Sequence, residues 1–410
     1  MVHPIPSLRP RRMTRRNRLA LGAVLAAGAL LLTSCGSSIG GASTQSDAAG
    51  PLKVGVIVPA TGNISSAGLA LKAGFELGVE KINAEGGVNG KPIEYTVEDD
   101  SSDPATSTQL AKKYVQTGDV SLLFGTITGD TAAAVASVAN SAKIPFATSI
   151  LGDPAVCSRY AWGFGESTHQ LLTPIVPDLL AKYGTRVAIV GSDYNFPRDY
   201  AASAEKIVTA AGGTVVAQEF SPLGTTDFES TIGRLKAAAP DLVLSMVVGA
   251  DAIVFTKQAQ AFGLLTPTLG YEGAPLDADY YPAVADQVTG REHAVRWSDG
   301  FADDESKAFV AAYRKKTGSQ APIPEVAANA YFAIRFIAAA ANDAKATAPA
   351  ELNTAIAGFR FDSPLGKGTH FAGPANILQA TMSTVTIGAG GAYPVTKDHG
   401  MVADTETTCG

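Results

Sequence analysis

An alternation of short apolar strands and amphipathic helices, beginning at Leu52, most constrains what this chain can fold into. The run Leu52-Lys53-Val54-Gly55-Val56-Ile57-Val58 is a strand stopped by Pro59. Apolar residues then recur at helical spacing from Leu69 through Phe75, Val79 and Ile82, and Glu85-Gly86-Gly87 ends that helix. Ile93 to Glu98 reads as a second strand. Asp103-Pro104 opens a helix to about Gln116, with the acid as cap and proline at the first position. Ser121–Phe124 and Ile144–Thr148 are strands that flank a helix over Thr131–Ala142. The pattern restarts at Arg186–Gly191. It continues through helix Tyr200–Ala211, strand Thr214–Phe220, helix Phe228–Ala239, strand Leu242–Val247, helix Asp251–Phe262 and strand Thr268–Tyr271. Strand followed by helix, joined by short glycine-bearing turns, predicts parallel α/β sheets, here two units in series. Further helices are expected over Asp304–Lys316 and Glu325–Ala344, with β-like chain over Gln379–Ile387.

Ahead of the first strand lies a different kind of sequence. Arg15, Arg16 and Arg18 precede an apolar run from Leu19 to Leu32, followed by Thr33, Ser34 and Cys35. A basic start, a short apolar core and small residues at a cut point describe a secretory signal. The run has 14 residues, short of the roughly 20 needed to span a bilayer. Leu32-Thr33-Ser34-Cys35 resembles the bacterial lipobox, in which the cysteine becomes the first mature residue and carries lipid. That resemblance implies a signal over residues 1–34, lipidation at Cys35 and a product tethered to the extracytoplasmic face of the cell membrane. Met13–Ser34 is a complete signal by itself, so translation from Met1 or Met13 fits equally. Residues 35–51 are rich in Gly, Ser and Ala and read as a flexible tether with a reach of roughly 20–25 Å.

Removing residues 1–34 takes away six arginines and no acids. The remaining chain has 26 basic residues against 38 acidic ones, a formal charge of −12. Such a balance disfavours nucleic acid and anionic membrane surfaces as partners. Cys157 and Cys409 remain beside Cys35, and outside the cytoplasm a pair of cysteines tends to oxidise. A Cys157–Cys409 disulfide is therefore expected, against the alternative of a buried thiol and a free one on the tail. The five histidines, His3, His169, His293, His370 and His399, are scattered without metal-ligand spacing, so neither a metal nor another cofactor is expected.

The stretch Ile82-Asn83-Ala84-Glu85-Gly86-Gly87-Val88-Asn89-Gly90-Lys91-Pro92-Ile93, with Asp99-Asp100 and Asp103-Pro104 after it, resembles the first helix-to-strand turn of type I periplasmic binding proteins. These are the branched-chain amino acid, amide and urea receptors of bacterial ABC importers. Gly191-Ser192-Asp193-Tyr194-Asn195-Phe196-Pro197-Arg198 and Pro222-Leu223-Gly224-Thr225-Thr226-Asp227-Phe228 look like the amide and urea branch in particular. The resemblance runs from about Leu52 to Ile387. It implies two doubly wound parallel-sheet lobes joined by a three-crossing hinge, with residues 52–165 and 299–382 in lobe one. Residues 166–298 and 383–410 then form lobe two, and the crossings fall near Gly165, Ser298 and Ser383. It also implies a monomer that delivers a small polar solute to membrane permease subunits. A sensor of the same fold without a transport role is the alternative.

Ligands of open α/β sheets sit beyond the carboxyl ends of the strands, where helix amino ends offer free N–H groups. Three turns qualify as the site. The first is Thr126-Ile127-Thr128-Gly129-Asp130-Thr131, whose hydroxyls and N–H groups suit a carbonyl or carboxylate; Asp130 reads equally as a helix cap. The second is Thr148-Ser149, followed by Ile150 and Leu151. Gly129 stands where amino acid receptors of the family place a serine, and Ile150 and Leu151 bring no hydroxyl. Both departures count against an α-amino acid ligand, or shift its recognition to backbone groups. In lobe two Tyr194 and Phe196 follow a strand end and suit either a pocket wall or core packing. Glu272, in Gly270-Tyr271-Glu272-Gly273, aligns with the acid that binds the ligand ammonium in amino acid receptors, the alternative being a solvated loop acid. Asp251 reads as a cap. Ser203-Ala204-Glu205-Lys206 and Lys316-Thr317-Gly318 match two short strings of penicillin-binding hydrolases, but the imperfect third element Ser192-Asp193-Tyr194 precedes the first string instead of following it and Lys316-Thr317-Gly318 ends a helix, not a strand, so no enzyme is expected.

Overall fold

The computed structural model describes residues 50–62, 64–150, 157–373 and 376–405. The signal, Cys35, nearly all of the tether, Leu151 and Cys409 lie outside the described residues. Cys157 is disulfide-bonded.

The first half of the chain runs β1 (Lys53–Val58), α1 (Ser65–Ala84), β2 (Glu94–Asp99), α2 (Pro104–Thr117), β3 (Leu122–Gly125), α3 (Gly129–Ala142), β4 (Phe146–Thr148) and β5 (Ala161–Gly163). Then come α4 (Thr168–Tyr183), β6 (Arg186–Ser192), α5 (Asn195–Ala210), β7 (Thr214–Ser221), α6 (Glu229–Ala237), β8 (Leu242–Met246), α7 (Ala250–Ala261), β9 (Gly270–Gly273), α8 (Tyr281–Val288) and β10 (Glu292–Val295). The chain closes with α9 (Asp304–Thr317), α10 (Glu325–Ala344), α11 (Pro349–Gly358), β11 (Phe361–Ser363), β12 (Gly366–Ala372), β13 (Ile377–Thr386) and β14 (Val395–Val402).

Two sheets result, ordered β11-β12-β13-β5-β4-β3-β1-β2 and β7-β6-β8-β9. Pairing among β1 to β5 is parallel, with Val97, Val56, Phe124, Ala147 and Trp162 in one row across five strands. That row packs against α1 and α10. Its neighbours Ile57, Leu123, Phe146 and Ala161 point the other way, under α2 and α3. Apolar residues on both faces are what a parallel sheet covered by helices requires. The second sheet repeats the scheme, with Ala188, Val243 and Tyr271 facing α6 and α7, and Val187, Ile189, Leu242 and Leu244 facing α4 and α5.

The chain crosses between the cores of the two lobes three times: between β5 and α4, between β10 and α9, and along β13. Strand β13 belongs to both sides. Gly163 of β5 pairs parallel with Ile377 and Phe371 of β12 pairs antiparallel with Leu378, while β10 pairs antiparallel with Ser383–Thr386. Leu378 is buried in the first core and Val385 in the second. This is the two-lobed α/β architecture that the sequence predicts. One helix it does not predict is α4, which keeps Pro174 and Pro177 inside it. A capping box of Ser167 and Gln170 starts it, and Leu172, Ile175, Val176, Leu179 and Leu180 are buried along it. Tertiary burial outweighs the two missing N–H donors.

Two glycines shape the strand ends above which the site lies. Gly125 ends β3 at φ +119°, where a Cβ would lie 2.1 Å from the Ile57 carbonyl oxygen. Gly273 ends β9 at φ +122°, where a Cβ would lie 2.0 Å from the carbonyl oxygen of Ser245. Neither position admits a side chain.

Candidate functional site

A cavity of about 150 Å³ lies where strands of both sheets end. One wall comes from the first sheet: Ile64 beyond β1, Thr128 and Gly129 beyond β3, Ser149 beyond β4 and Glu166 beyond β5. The facing wall comes from the second: Tyr194 and Phe196 beyond β6, Met246 and Val248 about the end of β8, and Glu272 to Ala274 at β9. The first turns of α10 add Glu325 and Asn329. Both sheets reverse their order beside a central strand, so loops diverge there and leave a crevice.

Carboxylates dominate its polar lining. Glu272, itself buried, places both oxygens 3.1 Å from Nδ1 of His293, and its Oε1 accepts from the Ala294 N–H at 3.2 Å. The other ring nitrogen of His293 lies 2.9 Å from Asp277 Oδ1. Burial alone would depress this imidazole, but the two acids hold it well above its usual range, so it is a cation shared between them. Glu166 has Arg296 at 4.0 Å and accepts from Asn329 Nδ2 at 3.3 Å. Burial raises the Glu166 carboxyl, and Arg296 only partly opposes it. Glu325 accepts from the backbone N–H groups of Arg296 at 2.8 Å and Trp297 at 3.1 Å. Burial and the nearby Glu166 push its carboxyl well up. Asp279, enclosed and beside Asp277, is pushed up to about 7.

Six of the ten residues singled out in the sequence line the cavity: Thr128, Gly129, Ser149, Tyr194, Phe196 and Glu272. Thr126, Asp130, Thr131 and Thr148 are not among its lining. Thr126 and Thr148 are buried beneath the turns. Thr128, not Asp130, caps α3. Its Oγ1 accepts from the Thr131 N–H at 3.3 Å, and the Thr131 hydroxyl accepts from the Thr128 N–H at 3.2 Å. Both hydroxyls thus serve the helix end, while Asp130 is exposed. Phe196 lies inside the first turn of α5 and is buried, so it serves core and wall together. Asp251 accepts from the Gly224 N–H at 2.7 Å, fixing a loop rather than capping α7. Ser203 and Lys206 lie on α5, whose buried face packs in the second sheet's layer. Lys316 ends α9 on the first, paired with Glu76 at 3.0 Å and Glu80 at 2.8 Å. Among the described residues no group of three or more His, Cys, Asp and Glu could hold a metal ion.

The sequence reading missed Glu166, Asp277, Asp279, His293, Glu325 and Asn329. The first follows the unassigned strand β5, and His293 lies on the unassigned β10. Pro324-Glu325 reads as an ordinary helix start. Only Asp277-Ala278-Asp279-Tyr280, acids beside an aromatic just past a strand, carried a local signal.

Residues 51–392 match the model of the Periplasmic binding protein family. The chain belongs to this family. The Leu/Ile/Val-binding protein homolog 7 of Brucella suis is 27% identical over 293 residues, covering 66% of this chain and 72% of its own. The leucine-, isoleucine-, valine-, threonine- and alanine-binding protein of Pseudomonas aeruginosa is 25% identical over 333 residues, covering 80% and 88%. A solute-binding protein of an ABC transporter from Rhodopseudomonas palustris, solved with 3,4-dihydroxybenzoic acid, superposes with a TM-score of 0.78 at 27% identity, over 87% of this chain and 99% of that one. The isoleucine complex of a branched-chain amino acid transporter substrate-binding protein from Streptococcus pneumoniae reaches 0.72 at 23% identity, over 85% and 100%, a likeness of fold. The protein is thus a type I periplasmic binding protein, the extracytoplasmic solute-binding component of an ABC transporter. Among the described residues no helix is long and apolar enough to cross a membrane.

Proposed function

We propose that this binding protein captures a small, N–H-rich solute for an ABC importer, short-chain amides or urea first and branched-chain amino acids second. One observation carries the reading: a single cavity lining holds both oxygen acceptors and a helix amino end. Glu166, Asp279, Glu325 and Asn329 offer the acceptors. Thr128 and Gly129, in the same lining, open α3, whose first N–H groups have no partner within the helix and attract a carbonyl oxygen. An amide or urea carries both functions in one plane. An α-amino acid also has a positive and a negative end, and the Pseudomonas relative is named for such solutes. It ranks second because Glu272 is already engaged with His293.

The solute bridges lobe one, residues 52–165 with 299–382, and lobe two, residues 166–298 with 383–410, and draws them together by hinge motion. The closed monomer is the form the permease subunits recognise. Lipid on Cys35 holds it at the membrane, and Cys409 is the disulfide partner of Cys157. Thermal unfolding of the purified chain with acetamide, urea and leucine tests the solute class; heat is the suitable perturbant because urea is itself a candidate. A bound solute at about 100 times its dissociation constant adds about 2.7 kcal/mol of stability. Stabilisation by acetamide or urea with leucine weaker is expected. Leucine ahead of both reverses the ranking, and no shift with any of them removes all three.

A further inference from the structure

The charges around the cavity do not balance. Five carboxylates line it: Glu166, Glu272, Asp277, Asp279 and Glu325. Among the described residues lining it, none is lysine or arginine, and His293 is the only basic side chain. His293 is shared by Glu272 and Asp277, and Arg296, which lies behind the lining, is near Glu166 and also acts on Glu325 from beyond salt-bridge distance. Neither Asp279 nor Glu325 has a cation within salt-bridge distance among the described residues. Enclosing an unpaired carboxylate is costly, so a closed cleft needs either a proton or a positive solute there.

A second observation points to a missing donor. Asn329 is 2% exposed and lines the cavity; its Nδ2 is committed to Glu166, while its Oδ1 has no hydrogen-bond partner. The hydroxyl of Tyr200 and Oγ of Ser149 are likewise buried, lining and unpartnered. Glu325 and Asn329 stand one turn apart on α10, so an acid and an amide oxygen share one helix face.

We infer that the solute is cationic, an amidinium, guanidinium or ammonium group whose N–H donors face Glu325, Asn329 and Asp279. This rests on the reading of the cleft as the solute site and, within it, moves a charged isostere ahead of the neutral amide or urea. An amidinium has the plane and size of an amide, and guanidinium those of urea, but each offers N–H donors in place of the carbonyl oxygen and adds a positive charge. Hydrogen bonds to charged partners are the stronger kind, and a buried acid meeting a cation forms them in a forked geometry. A carboxylate in the same place would meet like charge, so the solute differs from the aromatic acid held by the Rhodopseudomonas palustris protein.

The test is isothermal titration calorimetry of the purified chain at pH 8 with two isosteric trios: acetamidine, acetamide and acetate, then benzamidine, benzamide and benzoate. The expected result is an amidine bound about tenfold or more tighter than its amide, with the carboxylate silent. Amide binding equal to or tighter than amidine binding overturns the cationic assignment and leaves the cleft as an N–H-rich solute site, whereas binding of a carboxylate, which has no N–H donor, overturns both. Silence of all six overturns both. Glu325→Gln and Asp279→Asn are each expected to bring the amidine-to-amide ratio toward one. An unchanged ratio in both variants overturns the assignment to these residues, and Asp279→Asn decides alone if Glu325→Gln does not fold.

Discussion

Asp279 shows how much a single enclosed acid sets the behaviour of the cleft. Its carboxyl is pushed up to about 7 by burial and by Asp277, against an ordinary value near 4. The folded state therefore holds this proton more tightly than the unfolded chain does. The associated stability is complete below about pH 4 and is lost as pH rises toward and through 7. Glu166 and Glu325 are raised by the same burial and act with the same sign. His293 is also raised, so its contribution is intact below its ordinary value and is lost as pH rises from there through its higher folded one. The solute-free protein is thus expected to lose stability between about pH 4 and pH 7, by about 1–2 kcal/mol at Asp279, since part of the carboxylate still meets solvent in the cavity. Differential scanning calorimetry across that range is the check. Asp279→Asn should flatten the fall. A variant whose melting temperature follows the wild-type curve at every pH would remove Asp279 as its source.

At the scale of elements, the sequence was most legible where periodicity was strong and caps were local. Asp103 accepts from the Thr106 N–H and Pro104 begins α2, as the Asp-Pro pair announced. Helices α9 and α10 begin where their acids and apolar spacing placed them. Short or polar elements gave no such signal: β5 has three residues, and β14 is almost wholly exposed. In α4 the prolines masked a helix that only packing explains. The site was half legible for a related reason. Strand-end turns such as Thr128-Gly129 and Ser149 announce themselves by position after a strand, whereas Glu166, Glu325 and Asn329 meet only because α10 returns from late in the chain to cover the first sheet. That return depends on a close helix contact. A Cβ on Gly74 of α1 would lie 1.9 Å from the carbonyl oxygen of Ala327 in α10, backbone that cannot step aside. Gly74→Ala should cost about 1–3 kcal/mol by forcing the helices apart. Gly233, inside α6, has open space around its added Cβ, so Gly233→Ala should be stabilising by about 0.4–1 kcal/mol. Melting temperatures of the two variants should move in opposite directions. A Gly74→Ala variant that melts no lower than the wild type would mean that the α1–α10 contact is looser than its spacing implies.

For the whole molecule, what matters is how two lobes stay one body. Arg296 sits in the second crossing with its side chain fully buried. Its guanidinium donates to the carbonyl oxygen of Phe164 in the first crossing, to Gln170 Oε1 at 2.9 Å and to the Leu378 carbonyl oxygen in the third at 3.4 Å. Gln170 in turn donates to Leu378 O at 3.0 Å and to Val402 O at 2.8 Å. One residue therefore ties all three crossings together, and its charge also answers Glu166 on the cavity wall. Such a knot holds the three crossings in register with one another. Arg296→Met removes every donor at once and strands Glu166 without its cation, so a loss of about 3–5 kcal/mol in thermal unfolding is expected. Adding Glu166→Gln should recover part of that loss, because the uncompensated charge goes while the unpaired carbonyls remain. If the double variant melts no higher than Arg296→Met, the cost lies in the carbonyl bonds alone, and Arg296 acts as a pin rather than as a counter-ion.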